Sequence, residues 1–158
     1  MGFTTLSLKG RALRLLSQRE HSRAELERKL AAHVQEGDDL HAVLDDLQAK
    51  DFISEARVVE STLHRRAGQL GAARIRQELQ AKGLAVEAVQ QAVAGLQASE
   101  FTRARAVWQR KFGAPPEDAR QRARQARFLI SRGFSGDVVR RVLRGDDPSD
   151  GEDDLGLS

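Results

Sequence analysis

Apolar positions along this chain fall into short helical stripes separated by glycines and polar turns. Leu8, Ala12, Leu15 and Leu16 keep helical spacing and predict a first helix from Leu8 to Arg19. Ser22-Arg23-Ala24-Glu25 then has the form of a capping box, which fixes the start of a second helix with the stripe Leu26, Leu30, Val34 and an end near Glu36-Gly37-Asp38-Asp39. A third helix carries Leu40, Val43, Leu44 and Leu47, capped by Asp38 or Asp39. Phe52 and Ile53 pack the next turn, and Ser54 caps a fourth helix running to about Ala67. A fifth helix holds Ile75 and Leu79 and stops at Gly83, and a sixth spans about Val86 to Leu96. Phe101, Ala104, Val107, Trp108 and Phe112 mark the inner face of a seventh, broken by Gly113-Ala114-Pro115-Pro116. An eighth runs from Pro116 or Glu117 to Arg132 with Ala119, Ala123, Ala126 and Ile130 on one side, and a ninth occupies Gly136 to Arg144.

The pattern repeats. The stretch from Arg127 to Leu143 reads as a helix end, a glycine turn and a short helix, and it aligns without a gap on the stretch fifty residues earlier: Gly83 with Gly133, Leu84 with Phe134, Val89 with Val139, Val93 with Leu143. Leu30, Leu79 and Leu129 correspond in the middle helices, and the first unit holds about three extra residues before its third helix. The expected fold is therefore all-α, an elongated tandem array of three helix-turn-helix-like three-helix repeats at 8–50, 51–98 and 99–144, followed by an acidic, disordered tail at 145–158.

Composition narrows the function classes. There is no cysteine, hence no disulfide, thiol nucleophile or thiolate metal site. No apolar run approaches the roughly 18 residues that cross a bilayer, and the first nine residues lack the features of a signal peptide, so a cytoplasmic protein without membrane contact is expected. Charge is unevenly placed. Residues 1–50 carry 8 basic and 8 acidic side chains and residues 51–102 carry 6 and 6, whereas residues 103–144 carry 12 against 3 and residues 145–158 carry 6 acids and no base. The third repeat is thus a basic surface looking for an anionic partner.

Its candidate binding residues are Arg120, Arg124 and Arg127, which share one face of the eighth helix, Arg132 at its end, and Arg140, Arg141 and Arg144 along the ninth. Guanidinium groups so placed suit phosphates or carboxylates. A tight turn before each last helix also suits a helix-turn-helix DNA reader, but the third helix offers Asp45 and Asp46 where the ninth offers Arg140 and Arg141, so one repeat alone is fit to touch DNA, weakly and without sequence preference. His21, His33, His41 and His64 show no metal-ligand spacing, Gly68-Gln69-Leu70-Gly71 is better explained by helix ends than by a phosphate loop, and no catalytic constellation or cofactor motif occurs; a non-enzyme is expected.

Four stretches carry a family resemblance: Ser17 to Leu30, Phe52 to Arg57, Gly71 to Gly83 and Phe128 to Ser135. Their order and separation, spanning about residues 10 to 144, resemble RecX, the bacterial regulatory proteins that modulate the RecA recombinase. Val58 stands where that family often has Phe, and the acidic tail lies outside the shared pattern. The resemblance implies an all-helical, non-catalytic, monomeric protein that needs no cofactor. It implies binding to the RecA filament on single-stranded DNA, with inhibition of its ATPase and strand exchange, in recombination, repair and the SOS response.

Overall fold

A computed structural model of the chain describes residues 5–148. These form nine α-helices: α1 (Leu8–Gln18), α2 (Arg23–Leu30), α3 (Leu40–Ala49), α4 (Glu55–Arg66), α5 (Ala72–Ala81), α6 (Val86–Leu96), α7 (Glu100–Lys111), α8 (Ala119–Ser131) and α9 (Gly136–Arg144). Single 3-10 turns follow α2 and α6, and no strand occurs among the described residues. None of these helices is long and apolar enough to cross a membrane.

The described residues divide into two compact units, one running to Thr62 together with Leu79–Val89 and the other made of Leu63–Glu78 with the chain from Gln90 onward. In the first, α1, α2 and α3 close over Leu8, Ala12, Leu26, Leu30, Leu44, Leu47 and Ile53. Ser22 and Glu25 make the capping box, Asp39 caps α3 through the Ala42 N–H, and the Ser54 hydroxyl receives the Arg57 N–H at the start of α4. In the second, α7, α8 and α9 enclose Phe101, Ala104, Val107, Leu129, Phe134, Val139, Val142 and Leu143. Asp118 and Ser135 cap α8 and α9.

A common joint recurs in both units. The carbonyls that end a helix have no partner within it and must find donors elsewhere. At the end of α5, Lys82 O accepts the Ser22 hydroxyl and Ala81 O accepts Arg28 Nη2 at 2.9 Å. At the end of α8, Arg132 O accepts the Gly71 N–H at 2.7 Å, Gly133 O accepts the Ala73 N–H at 3.3 Å, and Ser131 O accepts Arg74 Nη1 at 3.0 Å. Ser22 and Gly71 occupy equivalent places, each eight residues before the aligned leucine of its helix, Leu30 or Leu79. The negative end of each helix thus meets the positive end of the middle helix one repeat earlier, an arrangement the helix dipoles favour. Gly83 and Gly133 turn there with φ of 70° and 95°. A Cβ on Gly71 would sit 2.3 Å from the Gly133 carbonyl, and one on Gly83 would sit 2.6 Å from the Ala24 methyl.

Four expectations from the stripe pattern need correction. Val34 stands where Gly83 and Gly133 stand in the later repeats, but the three inserted residues there wind Ala31–His33 into a 3-10 turn, so α2 stops at Leu30 and Val34 is exposed. Phe52 is exposed too, leaving Ile53 to fill the turn. The eighth helix begins at Ala119, after the two prolines, because Asp118 takes the cap by accepting the Gln121 N–H at 2.8 Å. Its buried face is also rotated, by roughly a hundred degrees, from the alanine stripe. Leu129 and Gln125 point inward while Ile130 is 54% exposed. Gln125 is tolerated there because its Oε1 accepts Trp108 Nε1–H at 2.8 Å and its Nε2 donates to Ala114 O at 3.2 Å. Of the acidic tail, residues 149–158 lie outside the described residues, and the part at Gly145–Asp146 is tied to α9: Gly145 caps it with φ of 84°, and the Asp146 N–H donates to Arg141 O at 3.1 Å.

Two measurements check the joint. Gly71→Ala, whose new methyl meets backbone that cannot swing aside, is expected to lower unfolding stability by about 2 kcal/mol or more, while Gly68→Ala, with open space around it, changes it by less than about 1 kcal/mol in the same urea titration. Glu25 gives the pH dependence. Burial raises its pKa, but Arg19 at 2.7 Å, the Ser22 N–H at 3.1 Å and Lys82 at 3.5 Å outweigh that and hold the carboxyl at about 2. Because the folded pKa lies below the unfolded one, the stabilisation is fully present above about pH 5 and is lost as pH falls toward 2, about 2–3 kcal/mol in all. Glu25→Gln, which keeps the capping hydrogen bond, is expected to flatten that part of the stability–pH curve.

Candidate partner-binding surface

Most basic residues of the third repeat separate into three groups by what they touch. The first is a row on α8. With Gln125 and Leu129 inward, helical geometry puts Arg120, Arg124 and Arg127 on the opposite side, and all are exposed. Their side chains make no hydrogen bond or ion pair among the described residues. Beside that row, Ala119, Ala123 and Ile130 leave an exposed apolar strip along the same helix.

The second group lies on α9 and is already engaged. Arg140 pairs with Asp137, one turn earlier. Arg141 lies over the Phe101 ring, 4.2 Å from its centroid, and approaches Asp146 at 3.8 Å. Arg144 binds Asp146 through Nε at 3.1 Å and Nη2 at 2.7 Å. The Arg144 hydrogen bonds lead the causes that hold the Asp146 carboxyl below its ordinary pKa, so it stays ionised as a fixed counter-ion.

The third group was not visible from the charge count. Arg132 lines a cavity of about 390 Å³ in the second unit together with Lys111 and Arg110 of α7 and Arg66 from the end of α4. The joint at Gly71 builds this cavity, since docking Arg132 O on the Gly71 N–H sets Arg66, Gln69 and Leu70 beside α8. Two arginines of α7 hold the turn that follows α4. Arg103 donates to Ala67 O at 2.9 Å and Leu70 O at 2.7 Å, and Arg110 donates to Gly68 O at 2.6 Å. Arg66 holds Glu78 at 2.8 Å. Summing charge by repeat hid the cluster because Arg66 belongs to the neutral second repeat; the basic pair Arg110-Lys111 at a helix end was the available signal.

The structure therefore brings Arg120, Arg124 and Arg127 together as one row, groups Arg141 and Arg144 on Asp146, and sends Arg132 into the cavity. The ends of the first and third repeats differ in sign. On α3, exposed Asp45 pairs with Arg23 at 2.6 Å, and Asp46 pairs with Lys9 and Lys50, each at 3.2 Å. His64 is exposed on the last turn of α4, and no group of three or more histidine, aspartate or glutamate side chains suited to a metal occurs among the described residues.

Models of the first, second and third three-helix domains of RecX match residues 9–47, 54–93 and 98–143. The chain belongs to the RecX family. Among curated relatives, the regulatory protein RecX of Leptothrix cholodnii is 60% identical over 139 residues, 88% of each chain. That of Ralstonia nicotianae is 52% identical over 142 residues, 90% of this chain and 89% of the relative. The crystal structure of RecX from Lactobacillus salivarius is 22% identical, covers 87% of this chain and 92% of its own, and superposes with a TM-score of 0.66. The tandem three-helix fold is thus shared at low identity, and relatives of high identity are named regulatory proteins.

For this RecX-family chain, the freedom of the α8 row has a direct consequence for folding. Reversing its charge with Arg120→Glu, Arg124→Glu and Arg127→Glu together is expected to change unfolding stability by less than about 1 kcal/mol, because no contact is lost. Urea unfolding of the triple variant checks this. A larger loss would mean the row is part of the scaffold.

Proposed function

We propose that this chain binds the RecA filament on single-stranded DNA and restrains its ATP hydrolysis and strand exchange, with no catalysis of its own. The observation that carries this reading is the exposed face of α8, where three unpaired guanidinium groups run beside Ala119, Ala123 and Ile130. Arginine next to exposed apolar surface is the composition of a protein–protein contact, whereas a pure phosphate surface needs charge alone. Membership of the RecX family supports the RecA filament as the partner. RecX relatives are named regulatory proteins, and the row belongs to the part matched by the third RecX domain.

The mechanism is steric and electrostatic. The α8 face meets acidic side chains of the filament, the apolar strip excludes water around those pairs, and the bound mass obstructs the movements that accompany hydrolysis and exchange. A helix-turn-helix reader of DNA is disfavoured by the equivalent helices, since α3 presents Asp45 and Asp46 while Arg140 and Arg141 of α9 are taken by Asp137, Phe101 and Asp146. Contact with nucleic acid is then weak, salt-sensitive and indifferent to sequence.

RecA-dependent ATP hydrolysis on single-stranded DNA tests the proposal. Wild-type protein at amounts stoichiometric with RecA is expected to inhibit, and the Arg120, Arg124, Arg127 charge-reversal variant is expected to need at least about tenfold more protein for the same effect. No inhibition by the wild type would overturn the functional reading. Equal inhibition by the variant would move the contact away from α8.

A further inference from the structure

The cavity beside Arg132 has a charge imbalance that neither folding nor the α8 contact explains. Arg132 and Lys111 lie over the Phe128 ring, 4.8 Å and 5.4 Å from its centroid. Their side chains form no hydrogen bond or ion pair among the described residues, so their donors are held in place and left unspent. Arg110 spends one donor on Gly68 O and forms no ion pair among the described residues. Arg66 is neutralised by Glu78. Three cations with no ion-pair partner among the described residues therefore line one pocket. Its floor is apolar, made by Leu70, Val107 and Phe128, and Phe112 meets the Phe128 ring edge-on with centroids 5.4 Å apart, which fixes the ring under the cations.

Holding such cations together costs electrostatic energy, and an anion entering the pocket recovers it. The number of charges selects the anion. A single carboxylate brings one negative charge and two oxygens. A phosphate monoester brings about −1.5 to −2 at neutral pH and three strong acceptor oxygens, which suits a fork from Arg132, the point charge of Lys111 and a remaining donor of Arg110. The volume, about 390 Å³, lies within the range of roughly 300–1,000 Å³ typical of small-ligand pockets, and its apolar floor offers a flat surface to a base or sugar.

We propose that this pocket binds a nucleotide through a terminal phosphate monoester, with Arg132, Lys111 and Arg110 on the phosphate and the base or sugar against Leu70, Val107 and Phe128. The ligand is either a free nucleotide or the phosphorylated end of a DNA strand, which share this chemistry. The site is separate from the α8 row and is tested without RecA, so its failure and that of the filament reading are distinguishable.

The experiment is calorimetric titration of the full-length chain with thymidine 5′-monophosphate, thymidine, 5′-phosphorylated and unphosphorylated ten-residue thymidine oligonucleotides, and hexaglutamate. The phosphorylated probes are expected to bind saturably at one site, at least about tenfold more tightly than their unphosphorylated counterparts, and Lys111→Ala and Arg132→Ala are each expected to weaken them about tenfold. Both side chains project from exposed positions, and a thermal melt of each variant confirms folding. The Arg120, Arg124, Arg127 variant is expected to bind the mononucleotide as the wild type does. Tighter binding of the phosphorylated strand than of the mononucleotide assigns the site to strand ends, and equal binding assigns it to free nucleotides. No saturable binding of either phosphorylated probe, binding unchanged in both pocket variants, or hexaglutamate binding as tightly as the phosphorylated probes would overturn the proposal.

Discussion

The end of each later middle helix is satisfied by the start of the middle helix one repeat before it, and much else in the structure follows from that. A bundle of three short helices buries little surface and is marginal alone. Here the groups that a short helix leaves unpaired become the connection to its neighbour: Lys82 O receives Ser22, and Arg132 O receives Gly71. The same requirement explains the glycines. Gly83 and Gly133 must turn left-handed to present these carbonyls, and Gly71 must lack a side chain to let the Gly133 backbone approach. Ser22 solves the equivalent problem with its hydroxyl, which receives the Glu25 N–H and donates to Lys82 O.

The joint also shapes the surfaces proposed to carry function. Docking at Gly71 places Gln69 and Leu70 against α8 and α7, so the pocket walled by Arg66, Arg110, Lys111 and Arg132 is a by-product of satisfying helix-end carbonyls. On the far side of α8, exposed residues without a hydrogen bond or ion pair among the described residues are free to vary in chemistry without loss of fold, and there the chain carries Arg120, Arg124 and Arg127. A scaffold that spends its internal polar groups on inter-repeat joints leaves its outward helix faces available for partners.

Much of this was legible in the sequence because it is local. Capping residues Ser22, Asp39 and Ser54 and the apolar spacing placed most helices, and the fifty-residue match of Gly83 to Gly133 exposed the repeat. What periodicity could not supply was decided by packing between distant segments. Gln125 enters the core because Trp108 and Ala114 O happen to satisfy it, which turns Ile130 outward against its hydrophobicity. Arg66 joins Arg132 although 66 positions separate them in sequence, so no count of charge by segment finds the pocket. The candidate arginines were found by charge, but their separation into free, paired and pocket-lining groups depends on partners such as Asp146 and Phe128, whose positions follow from the fold.

Amide hydrogen exchange at Gly71 and Ala73 tests the joint most directly. If their N–H groups are held by Arg132 O and Gly133 O, they exchange slowly, in the same cooperative class as the amides in the interior of α8, although they come from a different repeat. Exchange of both amides at the rate of unstructured peptide, with α8 still protected, would contradict the account.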